Sequence, residues 1–236
     1  MNGNKLLLGF LGGTIALIAS SESAIAFTLD RLSSDAEMNA LMQDIAFVAE
    51  GRIGDRSGAA TYELDLHEAD PGFPQITDQF NWQSGITEAF ELSYNSNSNQ
   101  VDFLIGDRLL SHAYSDPFSD IFIRTRAVNS GSSILLNNLE LNGTNLGEKS
   151  HAIAAQGGLD ILQIGDIGED FKLTGEVMMN WEKVPPTQSR LAFQIKIADT
   201  GDTPPPKKDI PEPGLLIGLG FFSLLGLRSR RFCKES

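Results

Sequence analysis

The chain is short of the residues from which stapled and metal-dependent domains are built. It has one cysteine, Cys233, three histidines, His67, His112 and His151, and two tryptophans. A single thiol closes no disulfide within the chain, so a domain here is stabilised by its core alone. No His-x-x-x-His or paired-cysteine spacing offers zinc its ligands. No Gly-x-Ser-x-Gly elbow presents a nucleophile, which disfavours a Ser-His-Asp hydrolase. Positive charge is scarce as well, with 18 Lys plus Arg against 31 Asp plus Glu. Between Phe27 and Ile210 the balance is 13 basic to 28 acidic residues, a net charge of −15. So acidic a body repels phosphate, which argues against nucleic acid as a partner.

What the chain does have in quantity is apolar sequence at its two ends. Lys5 is followed by Leu6-Leu7-Leu8, Phe10-Leu11 and Ile15 to Ala19, then by Ala24-Ile25-Ala26. A basic start, an apolar run and a small-x-small site describe a secretory signal peptide over residues 1–26, cut by signal peptidase after Ala26. At the other end, Pro211-Glu212-Pro213 leads into the uncharged stretch Gly214 to Leu227, closed by Arg228, Arg230 and Arg231. As a helix this stretch spans about 21 Å, short of the roughly 30 Å hydrocarbon core. It suits a transient anchor in the inner membrane, with the arginines kept on the cytoplasmic side. Cys233 lies beyond it, in no lipidation motif, and reads as an idle thiol.

Those three C-terminal parts, in that order over residues 210–236, resemble the PEP-CTERM sorting domain of exported bacterial proteins. The resemblance implies recognition and processing by an exosortase in a diderm bacterium that makes exopolysaccharide, and a final place at the cell surface or in the extracellular matrix. One departure is that Phe232 to Ser236 follow the arginines. Residues 199–209, with Pro204-Pro205-Pro206, form a stiff polyproline spacer ahead of the motif.

Residues 27–198 are left as one domain, long enough for a sizeable core. Ser34 with Glu37 makes a capping box, and Met38, Leu41, Met42 and Ile45 repeat at helical spacing, which predicts one short helix as the first element. The period then changes to two. Tyr62, Leu64 and Leu66 alternate with polar residues, as do Phe90, Leu92 and Tyr94. Phe171, Leu173, Val177, Met179 and Trp181 share one strand face, and Leu191, Phe193, Ile195 and Ile197 share another. His67 falls on the polar side of its strand and is expected in solvent. Gly175 within its strand predicts a bulge or a bend, and Asn142-Gly143 predicts a tight hairpin. Roughly nine or ten strands between turn clusters predict an all-β fold, an antiparallel β-sandwich of jelly-roll type.

Phe47 to Gly54, Ala60 to Leu64, Asn81 to Gly85 with Phe90 to Tyr94, and Asn138 to Gly143 are similar to segments of the choice-of-anchor domains of exported bacterial proteins, the W type closest. The resemblance implies a β-rich domain followed by an interchangeable surface anchor. It carries no catalytic residues across.

Two loops hold carboxylates that suit calcium, Asp116 with Asp120 and Asp166 with Asp170, although neither fits the twelve-residue EF-hand. Trp82 and Tyr114, beside loops, are the candidates for stacking a sugar ring. Trp181 and Tyr94 continue apolar faces and are expected in the core. Together these readings describe a non-enzymatic, exported structural or adhesive protein with no cofactor, its partners being signal peptidase, exosortase and the inner membrane, with extracellular polysaccharide as a further candidate. The alternative is a carbohydrate-binding module or lectin using exposed aromatics.

Overall fold

A computed structural model describes residues 27–56, 61–68, 75–168 and 170–201. The signal segment, most of the spacer, Pro211-Glu212-Pro213 and the hydrophobic stretch with its arginines lie outside the described residues.

Alternation of apolar and polar residues produces an all-β fold. The elements are β1 (Thr28–Leu32), α1 (Asp35–Leu41), β2 (Asp44–Arg52), β3 (Leu64–His67), β4 (Ile76–Asp78), β5 (Thr87–Asn95), β6 (Gln100–Ile105) and β7 (Arg108–Ala113). They continue as β8 (Asp120–Ala127), β9 (Ser133–Leu141), β10 (Thr144–Asn145), β11 (Ser150–Ile153), a 3-10 turn (Ala154–Gln156), β12 (Leu159–Gly165), β13 (Phe171–Asn180) and β14 (Leu191–Asp199). Sheet A runs β1-β12-β8-β14-β2-β3-β4, and sheet B runs β10-β9-β13-β5-β6-β7 with β11 also paired to β9. Each pairing is antiparallel.

The two sheets enclose one main core. Phe193, Ile195 and Ile197 of sheet A are sealed from solvent, as are Leu92, Phe103, Leu173 and Val177 of sheet B. Burying each such side chain stabilises the fold by about 1.5–3 kcal/mol. Gly51 stands opposite Phe193. A Cβ there would come within 2.3 Å of that ring, so only glycine lets the ring lie across β2. Gly175 does the same for Phe90, at 2.7 Å, and the register between β13 and β9 shifts between Thr174 and Glu176, the expected bulge. Asn142 and Gly143 take φ of 51° and 76°, the left-handed pair that closes the β9–β10 hairpin.

The helix is capped as expected on one side. Ser34 Oγ accepts from the Glu37 amide at 3.2 Å, while Glu37 reaches back to the amide of Ser33 rather than that of Ser34. α1 lies outside sheet A, with Met38 buried against Phe122, Ile161 and Ala198, and Asp35 takes two hydrogen bonds from Arg124. That charge pairing holds the Asp35 carboxyl below the usual carboxylate range. Three sequence expectations need correcting. β1 precedes the helix, so the helix is not the first element, because Thr28 to Leu32 finds an edge of β12 to pair with. The helix stops at Leu41, so that Met42 is its C-cap and Ile45 belongs to β2. Among the described residues fourteen strands form rather than nine or ten, since pairing also recruits short segments such as Ile76–Asp78 and Thr144–Asn145 that carry little pattern of their own.

The strand register puts both ends of the fold at one pole. Thr28 pairs with Gly165, Asp199 pairs with Asp44, and Ala198 lies beside Asp120. The loops 79–86, 128–132 and 181–190 occupy the opposite pole. There Ile86, Val128 and Val184 are exposed.

Candidate functional site

The outward face of sheet B carries a groove of about 650 Å³ over β5, β6 and β13, within the range of small-molecule sites. Its floor is a polar rung. Asp102, Ser93 and Lys172 stand side by side in register across β6, β5 and β13, and Ser111 of β7 continues the row outside the groove. These residues point away from the core because their neighbours Phe103, Leu92, Phe171 and Leu173 point into it. Ser93 is small, so the floor is low. Two turns border it at one end of the sheet, Asn95 to Asn99 between β5 and β6 and Asn142-Gly143 between β9 and β10.

Those turns are pinned. The Lys172 amide donates to Asn142 Oδ1 at 2.8 Å, and the Asn142 amide returns a bond to the Lys172 carbonyl at 2.9 Å. In the other turn the Ser96 amide donates to Asp170 Oδ1 at 2.6 Å. This bond, with a second from Ser96, holds the Asp170 carboxyl below its ordinary range. Within the β5–β6 turn, Asn95 Oδ1 accepts from the Asn97 amide at 3.0 Å and Tyr94 Oη donates to Asn99 Oδ1 at 3.1 Å. Asp102 accepts from Ser111 Oγ, and from Gln100 Nε2 at 3.4 Å. Lys172 Nζ meets Glu91 Oε2 at 2.6 Å. Among the described residues, the Ser93 hydroxyl and Asn142 Nδ2 have no partner. A fixed groove with both donors and acceptors on display can hold a ligand that offers hydroxyl groups.

The outward face of sheet A has richer charge, most of it buried and turned on its neighbours, with Arg52 Nη2 left without a hydrogen-bond partner among the described residues. Arg124, Gln194, Glu50 and Asp65 are in register across β8, β14, β2 and β3. Asp65 is 2% exposed and Glu50 6%. Gln194 Nε2 donates to Glu50 at 3.1 Å, Gln75 Nε2 donates to Asp65 Oδ2 at 2.6 Å, and His67 Nδ1 sits 3.2 Å from Asp65 Oδ1. Burial pushes the Glu50 carboxyl up, and the Asp65 carboxylate pushes the His67 imidazole up. Arg52 is stacked 3.9 Å over the Tyr62 ring and donates to Ser189 Oγ at 3.0 Å. His67 is therefore half-buried and paired, not in solvent as its strand position suggested, because Asp65 on the same face draws it in.

The residues singled out from sequence fall in different places. Trp82 is 8% exposed and Tyr114 3%. Trp82 packs on Phe80 and Phe193, and Tyr114 stacks on Phe47, so neither offers a ring face to a sugar. Both sit beside loops in sequence, but those loops fold their aromatic rings inward to fill the ends of the core. Burial raises the Tyr114 hydroxyl well above its ordinary value. Tyr94 is in the core as expected, whereas Trp181 is only partly buried, strapped to Ser84 through its backbone.

Asp120 is committed to structure. Its Oδ1 accepts from Gln163 at 2.8 Å and its Oδ2 from Ser119 and from Thr200 at 2.8 Å. Asp116 is exposed, Asp166 takes φ of 61°, and Asp170 belongs to the groove. The two loops are neighbours, joined by the Ile167 amide to the Ser119 carbonyl at 3.0 Å. Among the described residues no three His, Cys, Asp or Glu side chains converge on a metal position. The three histidines are also apart. His112 packs edge-on against Tyr114, and the His151 backbone binds Asp160. Sequence reading missed the groove, whose one advance signal was the run Asn95 to Asn99 followed by alternating Gln100 and Asp102. No protein-family model matches the chain, and no curated protein matches it.

Proposed function

We propose that this chain is an exported bacterial envelope protein, cut by signal peptidase after Ala26, held briefly in the inner membrane, and sorted by an exosortase at Pro211-Glu212-Pro213. Its sandwich then serves a structural or adhesive role, without catalysis, at the cell surface or in the polysaccharide matrix. The strand orders β2-β14-β8-β12 and β5-β13-β9-β11 read as the two interleaved Greek keys of a jelly roll, with the remaining strands widening both sheets.

The observation that carries this reading is the common pole of Thr28 and Asp199. A domain that receives its chain and releases it at one pole can be anchored there and present its far loops and both outer faces outward. The Asp120 bonds to Ser119 and Thr200 tie the last strand at that pole, immediately before the proline spacer. Mass spectrometry of the protein from its own cells tests the itinerary. Termini at Phe27 and near Pro211 are expected, and a Glu212→Ala variant should keep its C-terminal segment. An intact chain in the cytosol, or a variant processed like the parent, would overturn it.

The second reading, a carbohydrate-binding module, no longer rests on exposed aromatics. The sheet B groove is the observation that favours it.

A further inference from the structure

We propose that the groove floored by Ser93, Asp102 and Lys172 binds a neutral saccharide chain, deepening the carbohydrate-binding reading and resting on it. A sugar ring presents adjacent hydroxyls, each both donor and acceptor, and is recognised by side chains offering the complement of both kinds. The rung supplies that set. Asp102 accepts, Lys172 Nζ and Asn142 Nδ2 donate, and the Ser93 hydroxyl between them does either. Their positions are set before any ligand arrives, because the backbone register spaces the rung and the Asn142 and Asp170 bonds fix the two walls. Ordering costs on binding are correspondingly small.

Charge decides which saccharides fit. Asp102 and Asp170 face the groove, and the one cation lining it among the described residues, Lys172, is already paired with Glu91. An acidic groove in a body of net charge −15 repels uronates and sulfated or phosphorylated chains. Apolar ligands fit no better, since the apolar rings of the lining, Tyr94 and Phe171, are buried at 8% and 3% exposure and belong to the core. A neutral, hydroxyl-rich chain lying along the rung is what remains.

The test uses the full chain in a non-sugar detergent and saturation-transfer NMR at millimolar ligand. The probes are neutral hexaoses of glucose, mannose, galactose and N-acetylglucosamine, with hexagalacturonate as the anionic comparison. At least one neutral hexaose should bind, and Asp102→Asn and Lys172→Met should each weaken it about tenfold or more. Ser93→Phe, which fills the floor, should abolish it, and Lys183→Met at the far pole should leave it unchanged. Circular dichroism of each variant separates lost binding from lost folding. Failure of every neutral hexaose, tighter binding of hexagalacturonate, or binding indifferent to the three groove variants would overturn the proposal. None of these outcomes depends on sorting, so the export reading stands or falls separately on its termini.

Discussion

The two outer faces of the sandwich differ in what their polar residues are for. On sheet A, Glu50 and Asp65 are sealed from water and their oxygens are directed at Gln194, Gln75 and His67. On sheet B, Ser93, Asp102 and Lys172 stand in an open groove with bonding capacity left over. Charge density alone would have pointed to sheet A as the site. Buried carboxylates must be hydrogen-bonded to be tolerated, and once satisfied they hold strands together instead of holding a ligand. Residues in the groove keep their hydration, so exchanging water for ligand hydroxyls costs them little.

The sharpest way to break this comparison is to cut one carboxylate on each face. Asp65→Ala removes the buried carboxylate that receives Gln75 and His67 and leaves its site unfilled, and is expected to cost about 3 kcal/mol. In a domain of this size that lowers the melting temperature by roughly 6–12 °C. Asp102→Ala should stay within about 0.5 kcal/mol of the parent. Denaturant melts of the pair decide it, and equal losses would mean that both faces are structural.

A smaller effect distinguishes the faces by pH. Glu50 and His67 both have folded values above their unfolded ones. For each, the stabilisation is complete below the unfolded pKa and is lost as pH rises through the folded one. Stability should therefore decline above about pH 4.3 on the Glu50 limb and again above about pH 6.5 on the His67 limb. Asp65, Arg52, Lys196, Arg124 and Asp35 surround them on this face, and Asp35, lowered by Arg124, acts in the opposite sense, losing its contribution as pH falls below about 3.9. Glu50→Gln should flatten the first decline and His67→Gln the second, read as melting temperature against pH. A parent profile unchanged between pH 5 and 8 would count against the buried network.

The smallest expected effect is none. Asp120 has both oxygens occupied by Gln163, Ser119 and Thr200, so millimolar calcium should move the melting temperature by less than about 1 °C. A rise of several degrees would show that the loop carboxylates rearrange to take the ion.

Much of the fold was legible in the chain. The period-two runs Phe171 to Met179 and Leu191 to Ile197 turned their apolar sides inward as written, because one-residue slips would put every one of those side chains in water. Asn142-Gly143 and Gly175 were equally readable, since each meets a backbone demand that few residues satisfy. β1 and β4 were not, because a short strand with mixed residues owes its existence to the edge that receives it. The candidate site was the least legible part. Trp82 and Tyr114 looked available beside their loops, yet the poles of the core needed their rings. Ser93 and Asp102 share one hairpin, but Lys172 lies far along the chain from both, and the three carry no motif.

What the sequence determined by itself was local: which residues alternate, where the chain must turn, and that the single thiol cannot staple the domain. The tertiary structure decided which polar residues are buried with partners and which remain open to water. That choice depends on cross-strand neighbours brought together only when the sheets close, and no one-dimensional pattern records who those neighbours are.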